Sequence, residues 1–230
     1  MVFLGIESST DVASVALVNE YGVIGEITYT IKKGHSTQLM PMVIQLLEVS
    51  GYSLKTINGI GVSVGPGSFT GMRIGITLAN MLAYANNLPI VGISSLKAIA
   101  YNGKGLADYV CPLIYSRKEE VYGALFNSKL ELLMHEQVIS IESFINNLPK
   151  EPILLLGDGF TKYASFFQEK KVPLINCNSE IGIPKGSSVA FLALESFENG
   201  EADNPFTLKP EYFRPSEAEI QWEQKHGCNH

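Results

Sequence analysis

The stretch SVGPGSFTGMRIGITLANMLAYA, Ser63 to Ala85, opens like a phosphate-binding loop and then turns almost wholly apolar. A Walker loop needs GxxxxGK[ST], yet five residues separate Gly65 from Gly71 and Met72 stands at the lysine position. A dinucleotide loop needs GxGxxG, and Thr70 holds the third glycine position. Neither phosphate motif is present. Ser68 is placed to cap a helix, which leaves the N–H groups of Phe69, Thr70 and Gly71 to face an anion. Gly67, Ser68, Phe69 and Thr70 are therefore anion-site candidates. The plainer reading is a strand, a turn and a capped helix with no ligand.

The helix that follows is more informative. At about 100° per residue, Arg73, Thr77, Asn80 and Tyr84 form one narrow polar stripe. The remaining arc, roughly 200°, is apolar or glycine, about twice the stripe of an ordinary surface helix. Gly71 and Gly75 sit one turn apart, with Leu78 and Leu82 continuing their line. A second helix, expected over Ser36–Val49 with Ser36 as its cap and Gly51 past its end, shows the same excess, only Pro41, Gln45 and Glu48 interrupting its apolar surface. Either both helices are central in a thick domain, or they form an interface. A chain of 230 residues in two halves favours the interface. Its expected members are Leu39, Val43, Leu46, Leu47, Gly71, Arg73, Gly75, Leu78 and Leu82. Leu78 and Leu82 can equally serve the domain's own core, since so wide an arc has two sides. Arg73, a cation opposing the macrodipole, calls for a carboxylate or phosphate partner.

Working outward, Val2–Ile6, Ala13–Val18 and Val23–Thr30 read as an antiparallel meander punctuated by turns. Ile57–Val64 is an uncharged, buried strand and Pro89–Gly92 a short one. Beyond Asn102–Gly105, Tyr109–Tyr115, Val121–Phe126 and Leu130–Ile139 read as further strands. Ile153–Leu156 is a fourth, ending in the tight turn Gly157-Asp158-Gly159. Helices follow around Thr161–Lys170 and Ser188–Phe197. The class is α/β with mixed sheets, divided at 1–104 and 105–215, with a polar tail over 216–230.

A formal net charge of −6 and no basic run argue against a free-standing nucleic-acid binder. Three cysteines without CxxC spacing (Cys111, Cys177, Cys228) suit a reducing compartment. There is no leader-like start and no membrane-length apolar run, so a cytoplasmic protein is expected. Glu7 either faces a ligand or caps the Ser8–Thr10 turn; His35 reads as structural. His226, Cys228 and His230 are metal-capable but stand at a polar end. No catalytic triad can be assembled.

FLGIESSTDVASVAL, HSTQLMP, SVGPGSFTGMRIG, YSRKEEVYGALF, GDG and PEYFRP occur in an order that resembles the TsaB or YeaZ type of dimerisation subunit of bacterial tRNA threonylcarbamoyladenosine synthases. The resemblance runs from about Val2 to Pro215. It implies the actin-like ATPase (ASKHA) fold, with two subdomains each built on a mixed sheet flanked by helices. It implies a non-catalytic scaffold for threonylcarbamoyl transfer to N6 of adenosine 37 in tRNA, docking the catalytic subunit, TsaD. The same surface would form a homodimer when that partner is missing, and an ATPase subunit, TsaE, would join the assembly. ATP and a metal ion would serve the complex and no cofactor this chain alone; tRNA would be met only through the complex, and no membrane. Where the catalytic paralogue carries paired metal-binding histidines, PIVGISSLKAI places Ser95 and Ile99. Isoleucine cannot ligate a metal and serine is a poor substitute for imidazole. The chain departs from the family at Tyr115, where an aspartate is usual. The competing reading is a stand-alone actin-fold enzyme, a small-molecule kinase or metal-dependent peptidase, resting on Glu7 and the two glycine turns.

Overall fold

The computed structural model describes residues 1–30, 35–176 and 179–215, together with 219, 222 and 227. The first sheet is built from β1 (Phe3–Glu7), β2 (Val12–Asn19), β3 (Gly22–Thr30), β4 (Gly59–Gly65) and β5 (Ile90–Ser94), in the order β3-β2-β1-β4-β5. Short turns join β1 to β2 and β2 to β3, so these strands are antiparallel. Helices α1 (His35–Ser50) and α2 (Phe69–Asn86) precede β4 and β5, which run parallel to β1. Every residue of β4 is buried, as its uncharged sequence requires.

The second sheet has the order β8-β7-β6-β9. It contains β6 (Tyr109–Arg117), β7 (Glu120–Asn127), β8 (Leu132–Ser140) and β9 (Ile153–Leu156), with α4 (Ile141–Asn146) between β8 and β9 and α5 (Asp158–Glu169) and α6 (Gly186–Glu198) following β9. Between the sheets lies α3 (Ser95–Tyr101). Neither short helix, α3 nor α4, is foreseen from periodicity. Each is begun by a serine whose hydroxyl accepts an N–H three residues on, Ser94 from Lys97 and Ser140 from Ser143.

Two expected boundaries are corrected. Helix α1 already includes His35, so Ser36 lies in its first turn and does not cap it. Helix α5 begins at Asp158 and not at Thr161, because β9 runs straight into it through Gly157, whose φ of 97° makes the corner.

The packing crosses the sequence division at 104. Helix α6, encoded after the second sheet, lies on the first. A Cβ at Gly5 of β1 would stand 2.0 Å from the Gly186 carbonyl oxygen, and one at Gly61 of β4 would stand 2.5 Å from Ala193 Cβ. Only glycines let the helix settle so close. On the opposite face, α1 and α2 bury Leu39, Val43, Met72 and Ile76 against Leu4, Ile6, Val15 and Val62. Residues 203–214 return to the first sheet: Asp203 N–H donates to Ile90 O at 2.8 Å and Glu211 N–H to Val64 O at 2.9 Å. A shared core containing Phe3, Ile99, Ile114, Tyr122 and Val189 joins the halves. The polar tail over 216–230 lies almost wholly outside the described residues, as do Cys177, Cys228, His226 and His230.

Candidate docking face and cleft

The glycine turn is set by the chain's own first turn. Ser68 N–H donates to Ser9 O at 2.7 Å, and a Cβ at Gly67 would fall 2.1 Å from that same oxygen. Ser68 caps α2 as expected, its hydroxyl accepting the Gly71 N–H at 3.2 Å. That N–H is therefore committed and does not await an anion. At the far end Asn87, in the left-handed region at φ 53°, closes the helix.

Gly67, Ser68 and Phe69 line a cleft of about 260 Å³ between the sheets, facing Asp11, Tyr115, Ser116, Asp158 and Arg214. Thr70 is not among its walls. Burial pushes the Asp158 carboxyl up, Asp11 adds to this, and hydrogen bonds from the Tyr115 and Gly159 N–H groups oppose it. Arg214 Nε donates to Tyr122 Oη at 3.0 Å across the cleft wall. Glu7 turns into the Ser8–Thr10 loop, accepting the Ser9 N–H and hydroxyl, each at 2.6 Å. Its carboxyl pKa is raised by complete burial. Ser95 and Ile99, on α3, are both buried in the interior. Cys111 is buried too, which pushes its thiol pKa well up.

The residues expected at a partner interface divide. Leu39, Val43, Leu46, Leu47 and Leu82 are at most 9% exposed and belong to the chain's own core. Gly71 and Gly75 are buried against Ser8: a Cβ would stand 2.1 Å from its carbonyl oxygen and 2.2 Å from its hydroxyl, respectively. The close approach they permit is to this chain's β1–β2 turn and not to another molecule. Arg73 is exposed and Leu78 half-buried.

The outward side of the same helices carries other apolar residues, unmarked in the sequence reading. Met40 is 37% exposed, Ile44 44% and Met81 65%. With Arg73, Ile74 and Leu78, Met40 and Met81 line a groove of about 370 Å³ between α1 and α2. The signal was the width of the apolar arc, too wide for one buried side.

Three residues of the polar stripe of α2, Arg73, Asn80 and Tyr84, meet the returning segment, while Thr77 is exposed and lines the groove. Arg73 Nε donates to Tyr212 Oη at 2.7 Å, and Asn80 Nδ2 to Leu208 O at 3.1 Å. Tyr84 meets Phe206 edge-on at 4.9 Å, and Tyr212 stacks on Phe69 at 4.6 Å. At the departure from the family pattern, Tyr115 lends its N–H to Asp158 at 2.9 Å, while Arg117 forks onto Glu120 at 2.7 and 2.8 Å.

Two mixed sheets sharing one core, with a cleft between the β1–β2 and β9–α5 turns, define an actin-like protein. The family model described as "TsaD: tRNA N6-adenosine threonylcarbamoyltransferase" matches residues 11–222. The tRNA threonylcarbamoyladenosine biosynthesis protein TsaB of Bacillus subtilis (strain 168) is 32% identical over 96% of this chain and 98% of its own. Its counterpart in Escherichia coli (strain K12) is 30% identical over 99% of both chains. The solved structure of YeaZ-like protein from Pseudomonas aeruginosa superposes with a TM-score of 0.79 at 26% identity, covering 93% of this chain and 99% of that one. The chain belongs to the TsaB family, within the wider group that the TsaD model describes. No helix among the described residues is long and apolar enough to cross a membrane.

Proposed function

We propose that this protein is the scaffold subunit of a tRNA N6-adenosine threonylcarbamoyltransferase complex, docking the catalytic TsaD subunit through the outward face of α1 and α2. The observation that carries the reading is the exposed groove of Met40, Ile74, Leu78 and Met81. Large apolar side chains gathered on adjacent helices mark an interaction surface. Burying each is worth about 1.5–3 kcal/mol, so a few suffice for a stable complex after association costs. Names given to the relatives supply the pathway. On this reading the chain transfers nothing itself, since Ile99 offers no ligating atom where the paralogue's histidine would stand. ATP and metal belong to the complex, whose further member is a TsaE ATPase, and the same face pairs two copies when TsaD is missing. All of this takes place in the cytoplasm.

Light scattering tests it. Wild-type protein should self-associate alone and shift to a mixed complex when TsaD is added. Met81→Lys, an exposed change, should stay folded by circular dichroism and lose both. Unchanged masses for the folded variant would sink the docking role. Nucleotide turnover or tightly bound metal in the isolated chain would favour the stand-alone enzyme instead.

A further inference from the structure

Arg73 is the one residue that lines both the α1–α2 groove and the pocket under the returning segment. Its Nε is spent on Tyr212 Oη at 2.7 Å, and its guanidinium carbon lies 5.5 Å from the Tyr212 ring centroid. Tyr212 is in turn held by its stack on Phe69, nearly parallel at 8°. The two Nη groups have no hydrogen bond or ion pair among the described residues, although the side chain is exposed. A cation is thus fixed at the mouth of an apolar groove with its outer fork unfilled among the described residues, Glu219 lining the same pocket without pairing with it. Nothing on the two helices answers it. Helix α2 has no acidic residue, and the single one on α1, Glu48, lies three turns beyond Ser36 at the groove end.

We infer that Arg73 is the polar anchor of the docking face, receiving a carboxylate of the docked TsaD subunit in a two-pronged pair, and that Tyr212 is the residue that positions it. This rests on the docking reading above. The occupant is a TsaD segment that carries one Asp or Glu beside apolar side chains. Apolar contacts to Met40, Leu78 and Met81 exclude water around the pair, which is where a fork-to-carboxylate contact is strong. Holding Nε beforehand removes part of the ordering cost of binding.

The test is a calorimetric titration of TsaD into the full-length protein at several salt concentrations. Arg73→Ala should weaken binding by ~10-fold or more, and Arg73→Lys nearly as much, because an ammonium lacks the fork. Tyr212→Phe keeps the ring but frees Nε, and a smaller loss of roughly 3-fold is expected. The dependence of affinity on salt should flatten in Arg73→Ala, which a merely structural role of the side chain would not produce. Met81→Lys separates the two levels. If it leaves TsaD affinity unchanged, the docking reading itself fails. If it abolishes binding while Arg73→Ala and Arg73→Lys bind within 2-fold of wild type, the face is right and this anchor is wrong. Loss of self-association, and not of TsaD binding, in both Arg73→Ala and Glu48→Gln would assign the guanidinium to a second copy and overturn the inference. So would unchanged TsaD binding with weakened tRNA binding by the complex, which would make its partner a phosphate.

Discussion

A methyl group at Gly71 would stand 2.1 Å from the Ser8 carbonyl oxygen, a backbone atom that cannot move aside without dragging β1 with it. Gly71→Ala is therefore expected to destabilise the protein by about 1–3 kcal/mol, read as a lowered urea midpoint. A neutral result would mean that the β1–β2 turn yields easily. Leu46 and Leu82 make the same point about side chains. Both lie in the core beneath α1 and α2, so a glutamate at either would bury an unpaired charge and unfold the chain before it reported on any partner. Exposed Met40, Ile44 and Met81 are the residues on which docking can be tested cleanly. Glu7 gives a pH signature. Burial raises its folded pKa above the unfolded value, so the folded state binds its proton more tightly. Stability from this group is full below the unfolded pKa and is lost as pH rises through the folded one. Glu7→Gln should gain on wild type as pH is raised from about 4 to 8. A midpoint difference that does not vary with pH would contradict this.

At the scale of elements, α2 holds the balance of the structure. Its inner side meets the sheet, its glycines meet Ser8, its polar stripe carries residues 206–212, and its outer side faces solvent with α1. Asn80→Ala removes the donor to Leu208 O and should loosen the returning segment, seen as faster amide exchange over 204–212 while β1 and β4 stay protected. Equal exchange in both proteins would show that the aromatic contacts of Tyr84 and Tyr212 suffice. The meander, the buried β4 and the Ser68 cap were legible because each follows from local rules: alternation, an uncharged run, a hydroxyl ahead of an apolar helix. Which side of α2 faces inward was not, since both sides are apolar and only the fold chooses. Of the residues expected at an interface, Leu39, Arg73 and Leu78 line the groove between α1 and α2, while Val43, Leu46, Leu47 and Leu82 lie in the core and Gly71 and Gly75 against Ser8. The stripe holds Arg73, Thr77, Asn80 and Tyr84, and the partners that Arg73, Asn80 and Tyr84 meet come from residues more than a hundred positions on. No local pattern announces that. The return of α6 to the first sheet was equally hidden, although Gly5 and Gly61 inside strands hinted at a close backbone approach.

Across the whole molecule, the two sheets share one core through Phe3, Ile99, Tyr122 and Val189, and residues 203–214 bind the first sheet before reaching Tyr122 of the second. The halves are thereby fastened together on two sides. Such fastening supports the docking reading, which requires a fixed surface. With a net charge of −6, the isolated chain should bind tRNA weakly and with strong salt dependence. Filter binding at matched salt checks this, and affinity equal to that of the complex would refute it. The central claim, that the chain acts by docking and not by chemistry, meets its most direct test in reconstituted tRNA modification. Wild-type protein should support threonylcarbamoyladenosine formation by TsaD and TsaE and form none alone. The folded Met40→Lys/Met81→Lys variant should support little. Full modification with that variant, or modification by this chain without TsaD, would contradict the account.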